Sequence, residues 1–122
     1  MGAWGNGNFE QDGALDFVWH EVQQPLLRKI RIVIDNPVHA EADEPESGPI
    51  MAAVELLALL VEEANAAPPK PEEVKLWRDT YLQAWDRTAA DVYSKEEHIR
   101  ERRAMIESTF NRLTTLAMKF HS

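Results

Sequence analysis

Apolar residues recur every three or four positions along most of the chain, and breaks in that rhythm divide it into four helical segments. The first is predicted over about residues 12–34, with Leu15, Val18, Trp19, Val22, Leu26, Ile30 and Val33 on one face. Pro25 lacks an amide proton and should kink or split it. Residues 29–34 (KIRIVI) also alternate as a strand would, and helix is the reading adopted there. The second segment runs over about 49–65. Met51, Val54, Leu57, Ala58 and Val61 form its stripe and Ile50, Leu56 and Leu60 widen it, so a buried central helix is expected. Ser47 is placed to cap it, with Pro49 where a missing amide does no harm. The third covers about 71–93, with Val74, Trp77, Tyr81, Trp85, Thr88 and Val92 on one face. The fourth covers about 95–120, with Ile99, Ile106, Phe110, Leu113, Ala117 and Phe120 aligned, and Ser94 and Glu97 spaced as a capping box.

Short connectors between long amphipathic helices predict an all-α fold, an antiparallel bundle of about four helices in one domain spanning 1–122. A glycine-rich lead, residues 1–11, precedes it. Its glycines let the chain fold back, so Trp4 and Phe9 are expected to dock on the bundle and Asp12 or Asp16 to accept hydrogen bonds from the lead's amides. Trp19, Trp77 and Trp85 fall on apolar faces and are expected in the core, whereas a tryptophan left at the surface would mark a binding hot spot. Residues 35–49 combine three prolines with Glu41, Asp43, Glu44 and Glu46, and read as an exposed loop.

Charge sharpens this picture. The net charge is −8, but residues 1–66 hold 12 acids and 3 bases, a balance of −9, while residues 67–122 stand at +1. An acidic half disfavours nucleic acid and anionic membrane; it fits either a basic protein partner or surface charge that serves solubility alone. No apolar run is long enough to span a bilayer, and the opening residues lack the basic and apolar regions of a secretory signal. The absence of cysteine fits a reducing, cytoplasmic setting and removes thiolate chemistry.

Candidate chemistry is sparse. Glycine amides near a helix start can cradle an anion, but no strand precedes residues 4–9, no lysine follows, and Glu10, Asp12 and Asp16 crowd the spot. Asp12, Asp16 and His20 share a helical face and could seed a metal site, though no Glu-x-x-His pair repeats as di-iron bundles require. No serine lies in a nucleophile elbow. Arg100, Arg102 and Arg103 stand among Glu96, Glu97, Glu101 and Glu107, so intrahelical pairing is expected rather than nucleic-acid binding. Leu59 shares a stripe with Glu55, Glu62 and Glu63 and is either internal or an anchor for a partner.

The opening MGAWGNGNFEQDGALDFVWHE resembles the family known as domain of unknown function 4259. Trp4, Gly5, Gly7, Phe9, Asp12, Ala14, Asp16 and Phe17 match its pattern in order, and Gln11 stands where the family usually has Asn. Residues 52–55 and the stretch from Pro68-Pro69 to Trp77 extend the likeness to about two thirds of the chain. The resemblance implies no assigned activity. Small acidic bacterial proteins of this sort are sometimes toxin-neutralising immunity proteins. The expectation is therefore a non-enzymatic, cofactor-free, immunity- or antitoxin-like protein. Glu41, Asp43, Glu44, Glu46 and Leu59 would meet a basic toxin domain. A general interaction adaptor is the alternative, and a metal-dependent enzyme using Asp12, Asp16 and His20 is the third.

Overall fold

Proline 25 shapes the first third of the chain. Its ring would press on the carbonyl of Glu21 in a regular helix, and it has no N–H to offer that carbonyl. The computed structural model, which describes residues 3–122, resolves this by widening one stretch. Helix α1 (Asp12–Phe17) passes into a π-helical segment, Val18–Gln23, and then into α2 (Gln24–Asp35), where Pro25 sits in the first turn. The Gln24 amide donates to the carbonyl of Trp19, five residues back. Residues 29–34 are helical, with Ile30 and Val33 fully buried.

A wider turn inserts one residue into the rhythm, which rotates everything on one side of it by about 100° relative to the other. The buried positions record the step: Val18, Gln23, Leu27, Ile30 and Val33, with a spacing of five across the π segment. Gln23 thereby takes a core position, and its Nε2 donates to the carbonyl of Ala67. Trp19, expected in the core, is turned outward and is 42 % exposed.

After α2, a 3-10 turn (Pro37–Ala40) leads to α3 (Ser47–Glu63), α4 (Pro71–Val92) and α5 (Glu96–Phe120). Among the described residues there is no β-strand; an isolated antiparallel bridge joins Ala3 to Gln11. The long helices alternate in direction along the chain. Asp86 meets Arg103 and Arg78 meets Asn111, so α4 and α5 are antiparallel. Met51 lies near Met105 and Glu62 pairs with Arg112, so α3 and α5 lie side by side in the same sense. Gln23 reaches Ala67 just before α4, and Ala42 beyond α2 reaches Thr88 near the end of α4, so α2 and α4 also run together. The all-α bundle read from the periodicity is the fold.

Its core is one cluster. Trp77, Tyr81 and Trp85 of α4 pack among Leu27, Ile30 and Val33 of α2, Ile50, Val54 and Leu57 of α3, and Ile106, Phe110 and Leu113 of α5. Truncating a buried tryptophan of this kind to alanine costs about 3–5 kcal/mol. Three helix-end expectations are corrected. Ser47 lies inside α3, whose N-cap is Glu46, and its hydroxyl turns inward to other partners. Helix α5 begins after Lys95, and Ser94 makes no capping bond. Val92 and Phe120 are exposed, because each stands in the last turn of its helix, beyond the packed length. Helix α3 ends at the left-handed Asn65 (φ 57°), and the Ala66 amide returns to the carbonyl of Leu60 at 3.2 Å.

Candidate binding surfaces

The stretch between α2 and α3 is not the loose loop its composition suggests. Amides of Glu41, Glu44 and Ser47 donate to the carbonyls of Val38, Glu41 and Glu44 at 3.0, 3.0 and 3.1 Å, making a run of successive turns. The turns are fastened at three places. Ala40 is fully buried in the core cluster, and the Ala42 amide donates to Thr88 Oγ1 at 2.9 Å. Ser47 Oγ donates to the carbonyl of Ala40 and lies 2.7 Å from Tyr81 Oη, which donates to the Ser47 carbonyl at 2.9 Å. Burial raises the Tyr81 phenol above its ordinary range.

This scaffold gathers Glu41, Asp43 and Glu44, whose carboxylate oxygens lie within 4.8 Å of one another. Glu46 stands apart from them chemically. Lys29 Nζ bonds it at 2.7 Å, and that hydrogen bond together with the lysine's charge holds its carboxyl below the usual range. Among the described residues, three of the four acids form no ion pair and one is paired with a base on α2.

Leu59 is 40 % exposed and Leu56, one turn earlier, is also exposed, so α3 presents an outer side and is not buried all round. Twelve residues of helix, about 18 Å, separate Leu59 from Ser47, so the leucine and the acidic turn are distinct surfaces.

The trio Asp12, Asp16 and His20 does not come together. Among the described residues, the group of potential metal ligands within reach of one ion is Glu41, Asp43 and Glu44. The π segment interrupts the face that would have aligned His20 with the two aspartates. Of the arginine cluster, Arg103 is bidentate to Asp86 on α4, with oxygens at 2.9 and 3.1 Å, and reaches Glu107 at 3.7 Å. Its pairing crosses between helices as well as running along α5, and the Asp86 hydrogen bond raises its pKa.

The lead folds back on itself, with the Trp4 amide donating to the Glu10 carbonyl at 3.0 Å and the Glu10 amide to Gly7 at 3.2 Å. The Glu10 carboxylate occupies the space where side chains on Gly5 and Gly7 would stand. The hydrogen bonds expected from the lead's amides to Asp12 or Asp16 are not made; the lead closes through backbone carbonyls, and an anion brought to these glycines would meet the Glu10 charge. Asn65 Nδ2 fastens the lead to the end of α3 by donating to the Phe9 carbonyl at 3.0 Å. The rings nonetheless face out: Trp4 is 54 % and Phe9 38 % exposed, with Phe17 as open as Trp4. The docking expected of the Trp4 and Phe9 rings is made instead by the Asn65 side chain on the Phe9 carbonyl.

Beside this lies a feature the periodicity did not disclose. A cleft of about 190 Å³ opens between the π segment and the α3–α4 connector, lined by Leu15, Asp16, Val18, Trp19, Gln23, Asn65, Ala66 and Ala67. Pro25 was the signal for it, since the turn that relieves the proline rotates Trp19 to its rim.

No described helix is long and apolar enough to cross a membrane. Fold and surfaces together define a small all-helical bundle with an ordered acidic turn and an outward-facing aromatic N-terminal region. The chain belongs to the family described as Domain of unknown function (DUF4259), which matches residues 2–116. No curated protein and no solved structure matches it.

Proposed function

We propose that the protein acts by binding a basic protein partner, and that the partner is a toxin domain whose active site it covers, as an immunity protein or antitoxin does. The observation that carries this reading is the acidic turn. Three like-charged carboxylates are held within 4.8 Å on a backbone tied to the core through Ala40, Thr88 and Tyr81. Like charges at that distance repel, and an incoming cationic side chain relieves the repulsion. A rigid turn delivers this charge without an ordering cost on association. The overall charge of −8 steers a basic partner from a distance. Binding occurs in a cytoplasmic setting in this reading, with no cofactor and no catalysis by the chain itself.

The test is co-expression with the product of the neighbouring gene. A neutralising protein relieves the growth arrest that product causes and forms a stable one-to-one complex with it on size exclusion. Growth arrest that persists, with the two proteins eluting separately, rejects the toxin reading.

A further inference from the structure

We infer that the cleft between the π segment and the α3–α4 connector is a recognition site for an arginine side chain presented by a partner protein. The inference deepens the binding function proposed above and names a surface other than the acidic turn. Its first support is composition in place. Residues 3–27 carry Glu10, Asp12, Asp16 and Glu21 and no lysine or arginine. None of these four acids forms an ion pair among the described residues, whereas six acids elsewhere do: Glu46, Glu62, Glu73, Asp79, Asp86 and Glu107. These four acids, all before Arg28, therefore stand without an ion-pair partner among the described residues.

The second support is the arrangement of the cleft. Asp16 and Trp19, one turn apart, both line it. A guanidinium laid against the exposed indole stacks on its face and turns its N–H fork to a carboxylate, a pairing that an ammonium cannot make in the same way. Leu15, Val18, Ala66 and Ala67 give the methylene stem an apolar wall. The Asn65 side chain donates to the Phe9 carbonyl, which fixes the far edge. The third support is that the site is built by an unusual backbone: a π segment on one side and a left-handed residue on the other. Exposed aromatic rings with uncompensated carboxylates fit a cationic segment and reject an anionic one.

The full chain, labelled with ¹⁵N, is titrated with a short blocked peptide of alternating glycine and arginine, and separately with its lysine and glutamate counterparts. Saturable shifts are expected at the Trp19 indole N–H and at the amides of Asp16 and Asn65, strongest with arginine and absent with glutamate. Trp19→Ala and Asp16→Asn should each weaken arginine-peptide binding by about tenfold. Asp16→Asn keeps the shape of the cleft, so it separates lost charge from lost fold, which circular dichroism checks for both variants. Shifts that do not saturate, or variants that bind as tightly as the wild type, overturn the inference. Loss confined to a variant with Glu41, Asp43 and Glu44 neutralised places the peptide on the acidic turn and overturns the cleft while keeping a binding function. Arginine binding at Trp19 in a chain that fails to relieve the toxin's growth arrest keeps the cleft and rejects only the toxin reading.

Discussion

Removing one oxygen atom tests whether the acidic turn is part of the folded core. Ala40 and Ser47 bracket the turn, and both are tied to Tyr81: its hydroxyl donates to the Ser47 carbonyl at 2.9 Å and lies 2.7 Å from the hydroxyl that serves Ala40. Tyr81→Phe keeps the ring, which packs against Phe110 at 5.7 Å between centroids, and deletes only this junction. A lost buried hydrogen bond with one partner left behind costs about 1–2 kcal/mol, because the remaining group stays desolvated. For a chain of this size that lowers Tm by about 4–10 °C. Urea unfolding followed by tryptophan emission, to which the buried Trp77 and Trp85 contribute, gives the same quantity, and an unchanged slope shows that only stability moved. Ser47→Ala in the same background should be less than additive by about 0.5–1.5 kcal/mol, since both changes break one network. The alkaline limb supplies an independent check. Burial raises the Tyr81 pKa, so the neutral phenol is the folded form. Its contribution is fully present below the ordinary tyrosine range near pH ~10 and is lost as pH rises through the folded value. The Phe variant should lack that component. A midpoint within error of wild type, or strict additivity with Ser47→Ala, would refute the junction and leave the turn a loosely held segment.

Trp4→Ala should change stability by no more than about 0.5 kcal/mol, because the ring is exposed, whereas Trp77→Ala should cost about 3–5 kcal/mol; paired melts of the two variants decide it. Lys29→Met should return the Glu46 carboxyl toward its ordinary range, read by side-chain carboxyl NMR. Because the Glu46 pKa is depressed in the fold, its contribution is present above the ordinary glutamate range and fades as pH falls through the folded value, so the variant's acid limb should be flatter. Neutralising Glu41, Asp43 and Glu44 together, with Glu46 kept, should leave the melting temperature unchanged or raised. It should also slow association with a basic partner and flatten its salt dependence in stopped flow, and association as fast as wild type at low salt would remove the turn from the encounter.

Periodicity read the fold well wherever the backbone kept its ordinary pitch. Helices α3, α4 and α5 fall close to their predicted spans, and the stripes through Val54, Trp77, Tyr81 and Phe110 are the core. Its failures share a physical origin: side-chain patterns are projected onto a helix of fixed pitch, and the informative surfaces lie where the pitch changes or where polar groups find distant partners. The stripe Leu15, Val18, Trp19, Val22 runs straight through a segment that holds one extra residue, so a fixed pitch places Trp19 in the core and passes over the buried Gln23. Proline and acid in residues 35–49 suggested a solvated loop, because composition cannot show that Thr88, 46 residues from Ala42, and Tyr81, 34 from Ser47, hold it down. The two cases make opposite errors for one reason. A local rule sees Trp19 as apolar and hides it, and sees Glu41 to Glu46 as polar and frees them. Tertiary structure instead fastens the polar turn through Ala40, Thr88 and Tyr81 and leaves the aromatic ring at the rim of a cleft. An apolar side chain that the core declines and a charged segment that the core holds are both departures from the solubility rule, and recognition surfaces are built from such departures.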